Sequence, residues 1–248
     1  MRNVLTFLLL LFSLLCNGQS PKLFTTDKEL SSSLINQIYQ DRNGFIWIAT
    51  EDGLNRYGGV QFTLYKHQPN KEHSLAHNFV RTVFEDSKGH LLIGTYIGIQ
   101  MYDPATDNFT PLAKLEDTGE TLESNINSFI ERKNGEIWVS GNVLCKLDIK
   151  DHLLTVRKVD IPVTSPGSLF EDKKQNVWMA KGEEGVYQLT PDNQLTLHLS
   201  KDIGYVKSIC EDQRGNIYVG SIRKGLFIYD KERKILVPVD LKEKGELP

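Results

Sequence analysis

A short pattern recurs five times along this chain, and a fixed-period repeat constrains architecture before any local propensity does. The first copy reads Ile38-Tyr39-Gln40-Asp41, then Arg42-Asn43-Gly44, then Phe45-Ile46-Trp47-Ile48-Ala49-Thr50, and closes on Gly53-Leu54 and Tyr57. The second carries Val83-Phe84-Glu85-Asp86, Gly89, Leu91-Leu92-Ile93-Gly94-Thr95, Gly98-Ile99 and Tyr102-Asp103. The third keeps Phe129-Ile130-Glu131, Gly135, Ile137-Trp138-Val139 and Leu147-Asp148 but places Arg132 where the others have aspartate. The fourth has Leu169-Phe170-Glu171-Asp172, Val177-Trp178-Met179 and Gly185-Val186, with Gln175 at the turn glycine. The fifth returns as Ile209-Cys210-Glu211-Asp212, Gly215, Ile217-Tyr218-Val219, Gly225-Leu226 and Tyr229-Asp230. At the aspartate position successive copies are offset by 45, 46, 40 and 40 residues, a propeller-blade length.

Each position has a physical reason. The apolar pair ahead of the aspartate predicts a first strand buried on both faces near a central axis. Asp-x-x-Gly predicts a hairpin turn, its carboxylate accepting from the following amides and its glycine taking a positive φ. Trp47, Leu92, Trp138, Trp178 and Tyr218 share one register of the second strand, where a large flat side chain fills the wedge between neighbouring sheets. Phe62 to Tyr65, Phe109 to Leu112, Leu153 to Val156, Leu195 to Leu199 and Ile235 to Val239 supply a fourth strand each. No long segment has helical periodicity. The fold class is all-β, a β-propeller of four-stranded blades with five blades present.

The string Ile-x-x-Asp-x-x-Gly-x-x-Trp-Ile-Ala-Thr-x-x-Gly-Leu-x-x-Tyr, from Ile38 to Tyr57, resembles the two-component regulator propeller repeat. The stretch from Phe24-Thr25-Thr26 to Leu34 resembles the opening of such sensors. The resemblance implies the periplasmic sensor region of a hybrid histidine kinase that responds to oligosaccharides, in a homodimeric parent anchored in the inner membrane. It also implies seven-bladed rings, so that five blades make a partial ring whose partners are the remaining blades and the kinase region. This chain departs from the family by stopping at Pro248 with no kinase motifs. A fragment of a longer sensor, a truncated gene product and a free-standing five-blade ring are the three readings left open.

Ahead of the repeats, Arg2, an apolar run from Val4 to Leu15 and small residues Cys16 and Gly18 read as a secretory signal over residues 1–18. The run is too short for a spanning anchor, and Leu15 is the wrong neighbour for lipid attachment at Cys16. The expected domains are therefore the signal, 1–18, and a propeller sensor domain, 19–248, located in the periplasm. With 40% apolar and 25% charged residues and a net charge of −3, the chain is globular and has no basic stripe for nucleic acid. Cys145 and Cys210 fall in strands of different repeats and are expected to be unbridged, buried thiols.

No catalytic constellation, metal site or cofactor motif is predicted. His73 and His77 are four residues apart but lie in a loop, Pro69 to Asn78, without acidic or thiol partners. Asp41, Asp86, Asp172 and Asp212, with Glu85, Glu171 and Glu211, repeat at one register, which marks turn construction rather than a catalytic pair. Function in a propeller sits on its rim loops. Loops leading into first strands and loops between second and third strands share one face, because a meander alternates ends. Glu51, Asp52, Tyr96, Asn142, Glu183 and Arg223 are the candidate ligand-binding residues there, accompanied by Ser33, Asn36, Asn78, Asn125, Asn127 and Tyr205. Acids, amides, tyrosine and arginine are groups that grip sugar hydroxyls. The functional readings are a glycan-sensing module, a propeller enzyme acting on polysaccharide, and a protein-docking scaffold.

Overall fold

The computed structural model describes residues 22–26, 29–183, 185–199 and 203–240; the expected signal, 1–18, lies outside them. Every repeat forms an antiparallel meander, and no helix occurs among the described residues. The first sheet holds β1 (Ile35–Gln40), β2 (Ile46–Thr50), β3 (Gly53–Tyr57) and β4 (Phe62–Tyr65). The second holds β5 (Val80–Glu85), β6 (Leu91–Thr95), β7 (Ile99–Asp103) and β8 (Asn108–Phe109), followed in the chain by β9 (Lys114–Leu115). The third holds β10 (Ser128–Glu131), β11 (Ile137–Ser140), β12 (Leu144–Lys150) and β13 (Leu153–Lys158). The fourth holds β14 (Leu169–Glu171), β15 (Val177–Lys181), β16 (Gly185–Leu189) and β17 (Leu195–Leu199). The fifth holds β18 (Tyr205–Glu211), β19 (Ile217–Ile222), β20 (Gly225–Asp230) and β21 (Ile235–Pro238).

One outer strand departs from expectation. In the second repeat the regular ladder ends at Asn108–Phe109, although the Thr110 and Ala113 amides still donate to the Met101 and Ile99 carbonyls of β7 at 2.9 Å; beyond them β9 pairs parallel with β13 of the third sheet, Thr155 opposite Lys114 and Val156 opposite Leu115. The expected fourth strand over Phe109 to Leu112 thus runs beside β7 but is irregular after Phe109.

Sheets pack in chain order, with β1 against β5, β5 against β10, β10 against β14 and β14 against β18 around the axis. Four apolar clusters lie between successive sheets. Trp47 meets Tyr102 of the second sheet with ring centroids 4.9 Å apart, and Trp178 meets Tyr229 of the fifth at 5.0 Å. Leu92 packs with Phe129 and Ile137, and Trp138 with Leu169 and Val177. The wedge register thus turns each sheet's large side chain toward the next sheet.

The first strands correct the expectation of two buried faces. Ile38 is 61% exposed and Ile35 43%, and Cys210 in β18 is exposed, whereas Cys145 is buried; the two are unbridged. These side chains lie on the two faces that no other sheet covers among the described residues, the back of the first sheet and the front of the last. Burial there needs a neighbour on each side, which only the middle sheets have.

The turns are built as the repeat implies. Asp41 accepts from the amides of Asn43 and Phe45, both at 3.0 Å, and from the Trp47 indole at 2.7 Å. Asp172 does the same for Lys174, Asn176 and Trp178. Gly44, Gly89, Gly135 and Gly215 hold φ between 80° and 95°, and Gln175 takes φ 66° in the fourth turn. In the third turn Arg132 replaces the carboxylate and lays its guanidinium over Trp138, 4.7 Å from the ring centroid.

A second role falls to the glutamates that end the first strands, one residue ahead of Asp86, Arg132, Asp172 and Asp212, each of which binds the preceding sheet. Glu85 accepts from the Arg42 amide at 2.8 Å, Glu131 from Ser87 at 2.6 Å, Glu171 from Lys133 at 2.7 Å and Glu211 from Lys173 at 2.8 Å. Arg42 adds an ion pair to Glu85 at 2.6 Å, and Arg132 one to Glu171 at 3.0 Å. Such charge-assisted bonds fix the rotation of one sheet on the next.

Candidate functional site

The turns with their glutamate staples occupy one end of the stack, and the loops of interest occupy the other. There the segment leading into each first strand is laced to the loop between second and third strands. The Glu51 amide donates to the Leu34 carbonyl at 3.1 Å, Tyr96 to Phe79 at 3.0 Å, and Gly53 crosses to Asn78 of the next repeat at 2.7 Å. Ser165 donates to the Asn142 carbonyl at 3.2 Å and Val206 to that of Gly182 at 2.9 Å. Glu51, Asp52, Tyr96, Asn142, Glu183 and Arg223 all stand on this one rim.

Several polar rim residues are consumed by the framework. Asp52 pairs with Lys66 at 2.6 Å and accepts from the Asn78 amide at 3.1 Å. Asn36 donates to the Val80 carbonyl at 2.8 Å, and Asn127 to that of Pro166 at 3.0 Å. Asn125 accepts from Arg81 at 3.2 Å. A sequence shows which residue types reach a rim but not which are used to tie it. Tyr96, 55% exposed, leans on His77 with centroids 5.6 Å apart and on Phe79 at 6.1 Å. The His77 Nδ1 accepts from the Phe79 amide at 2.9 Å, which orients the ring.

Glu183 and Arg223 come together. With Gly204, Tyr205, Ile222 and Lys224 they line a pocket of ≈ 630 Å³ where the loop after β15, the segment before β18 and the loop after β19 converge. Arg223 stands at φ 70° and Gly204 at φ 66°, so both corners depend on left-handed backbone. A Cβ at Gly204 would meet the Ile222 carbonyl at 3.0 Å, which keeps that corner a glycine. No hydrogen bond or ion pair within the described residues occupies the side chains of Glu183, Tyr205, Arg223 or Lys224. One acid, two cations and a phenol ring around an apolar Ile222 can bind a polar ligand that also presents an apolar face. Lys224, Ile222 and Gly204 were missed by sequence reasoning; the signal was the Arg-Lys-Gly turn at 223–225. A second pocket, at the turn end, is lined by Tyr39, Gln40, Arg42, Glu85, Asp86 and Glu131, residues already engaged in the turns and staples.

Sheets of four antiparallel strands arranged around an axis, with ligand-sized loops at one rim, define a β-propeller. This chain carries repeats of the two-component regulator propeller family, whose sequence model matches residues 29–52, 74–96 and 201–223. It is similar to histidine kinase P4 of Formosa agariphila, 36% identical over 83 residues that make up 31% of this chain and 6% of the kinase. Its fold matches the extracellular domain of a hybrid two-component system of B. thetaiotaomicron with a TM-score of 0.71 and 19% identity, over 89% of this chain and 33% of that one. Virginiamycin B lyase of Staphylococcus aureus shares the fold at a TM-score of 0.62 and 14% identity, over 87% of this chain and 71% of the lyase. At such identities the two solved structures speak for fold alone. The chain spans about a third of that extracellular domain and 6% of the kinase. Its fold is that of this extracellular domain, and three of its stretches match the two-component regulator propeller model. Among its described residues no helix is long and apolar enough to cross a membrane.

Proposed function

We propose that this chain is the ligand-sensing part of a two-component signal-transduction protein, that it responds to a glycan fragment, and that its pocket lies at Glu183, Tyr205, Arg223 and Lys224. The observation that carries the reading is the contrast along one rim. Asp52, Asn36, Asn78 and Asn127 are tied into the framework, while among the described residues these four side chains have no hydrogen-bond or ion-pair partner and surround a common space. Charged groups of both signs beside a tyrosine suit a ligand with many hydroxyls and a flat apolar ring face. In this reading the chain is a partial seven-bladed ring, exported by its signal to the periplasm, and belongs to a homodimeric parent anchored in the inner membrane with its kinase region elsewhere.

Recognition rather than turnover is the proposed activity. The repeated acids that could have formed a catalytic pair serve the turns and staples instead. A rim held by an open stack is less preorganised than a closed one, so residues 19–248 by themselves are expected to bind weakly. The test is calorimetric titration of neutral and acidic oligosaccharides into residues 19–248 and into a chain extended by two further repeats. Saturable binding by the extended chain that disappears in Arg223→Ala and Glu183→Ala supports the reading. Binding indifferent to both substitutions places the site elsewhere, and cleavage of the glycan during titration makes the chain an enzyme.

A further inference from the structure

Between the fourth and fifth sheets the turn end holds a cavity where equivalent interfaces are filled. Opposite the wedge tryptophan, the third strand carries Arg56 in the first sheet, Lys146 in the third and Gln188 in the fourth. The Arg56 guanidinium lies 5.1 Å from the Phe45 ring centroid and 5.7 Å from that of Trp47, and it pairs with Asp107 at 3.2 Å. Lys146 lies 5.5 Å from the Trp138 ring centroid and pairs with Glu136 at 2.6 Å. In the fourth sheet both fillers are replaced by neutral amides. Gln188 meets His198 at 2.9 Å, and Asn176, in the place of Phe45 and Glu136, donates to Asp172 at 2.8 Å. A space of ≈ 430 Å³ is left beside Trp178 and Tyr229.

The charge around this space is positive. Lys173 and Lys174 line it from the turn of the fourth sheet, Arg214 from the turn of the fifth, and Lys231 from the loop between β20 and β21. Lys173 donates to the Asp212 and Gln213 carbonyls, each at 2.9 Å, and Lys231 to that of Gly215 at 2.5 Å; these neutral acceptors leave both charges uncompensated. No hydrogen bond or ion pair among the described residues engages the side chain of Lys174 or Arg214. The two acids of the wall are held by other donors. Asp172 takes the Lys174 and Asn176 amides, the Asn176 side chain and the Trp178 indole, and Glu211 takes the Lys173 amide. Where Asp107 stands just ahead of β8, Lys234 stands ahead of β21, in the same left-handed backbone at φ 52° and 56°.

We infer that this cavity is a binding site for a divalent oxyanion, phosphate or sulfate, free or carried as the ester of a small molecule. Four cations from two sheets face one space that holds two carboxylates, so a further cation is repelled and an anion is drawn in. A guanidinium and three ammonium groups can give charge-assisted bonds to oxygens disposed around one central atom. Because the cations come from both turns, a bound oxyanion ties the fifth sheet to the fourth. The site lies at the end of the stack opposite Glu183 and Arg223, and it does not depend on the proposed function.

The test titrates inorganic phosphate, inorganic sulfate and glucose 6-phosphate separately into the full chain by calorimetry at low ionic strength. The expected result is saturable one-to-one binding with a dissociation constant of about 1 mM or tighter, and a urea midpoint that rises with oxyanion concentration. Lys174→Gln combined with Arg214→Gln should weaken binding about tenfold or more. Lys88→Gln, at the place of Arg214 in the second turn, should leave it unchanged. Asn176→Phe copies Phe45, keeps the charge and should abolish binding by filling the space. A free ion and an ester uphold the site equally, and the tighter binder names the source. Absence of saturation by all three up to about 10 mM overturns the inference. Equal weakening by Lys88→Gln marks general surface attraction and overturns it too, as does loss of binding in Arg223→Ala, which moves the anion to the rim pocket. Should Asn176→Phe not fold, the lysine and arginine variants still decide, because their side chains form no part of the packed core.

Discussion

Trp178→Ala is the sharpest perturbation, because Tyr218 occupies the same register one sheet on and serves as its control. The Trp178 ring is buried between the fourth and fifth sheets against Tyr229, 5.0 Å away, and against His198 at 5.5 Å. Its indole donates to Asp172 at 2.9 Å, but that carboxylate oxygen keeps the Asn176 amide at 2.8 Å, so truncation leaves no orphaned charge. The cost is therefore packing and cavity, about 3–5 kcal/mol for a buried aromatic. Trp178→Phe retains most of the packing and loses one hydrogen bond, about 1–2 kcal/mol. Tyr218→Ala removes a ring that already faces solvent on one side and is expected to cost about 1–2 kcal/mol. Urea unfolding at constant slope measures all three. Equal losses for Trp178→Ala and Tyr218→Ala would refute the claim that the front of the fifth sheet is uncovered.

Other expectations rest on single contacts. Burial pushes the His198 pKa below the usual 6.5, more than its bond to the Lys234 carbonyl restores. Above pH 6.5 the group is neutral folded and unfolded. As pH falls below 6.5 the unfolded chain takes up the proton first, and stability is lost until the folded pKa is passed; His198→Gln should flatten that part of a urea-midpoint profile between pH 7.5 and 5. Gln175→Gly relieves a side chain at φ 66° and is expected to stabilise by about 0.5–1 kcal/mol, while Gly44→Ala, at φ 86° with nothing within 4 Å of a new Cβ, should cost about 1–2 kcal/mol through backbone alone. Thermal melts check both. Glu171→Ala strips acceptors from the Lys133 amide and from Arg132 and should cost about 1–3 kcal/mol, with Glu171→Gln milder, as read in urea.

Period and register were legible because a repeat writes the same solution several times over. Trp47, Trp138 and Trp178 in equivalent places could only be wedge residues, and Asp-x-x-Gly could only be a turn. What escaped was whatever depends on the neighbouring sheet rather than on the repeat itself. Ile38 and Cys210 look like core in a pattern built from the middle repeats, yet they belong to end sheets and face outward. The glutamates look like members of the turn that follows them, although their acceptor oxygens serve the sheet before. The irregular outer strand after Phe109 was equally hidden, since pairing of Lys114 with a strand some forty residues on leaves no local signature. On the rim, Asp52 and Glu183 are alike in sequence; only the contacts of Lys66 and Asn78 separate a structural acid from an open one.

The crossover of β9 onto β13 has a consequence for how the molecule comes apart. A tandem array whose members touch only face to face can lose them one at a time, each unit opening with its own free energy. Here the second repeat contributes a strand to the sheet of the third, and the Glu116 amide holds the Val156 carbonyl at 2.9 Å beyond the paired residues. Opening of the outer edge of either unit therefore breaks backbone bonds of both. The second and third repeats are therefore expected to open as a single cooperative block, with amides that exchange together and more slowly than those of the first and fifth repeats, as native-state hydrogen exchange would show.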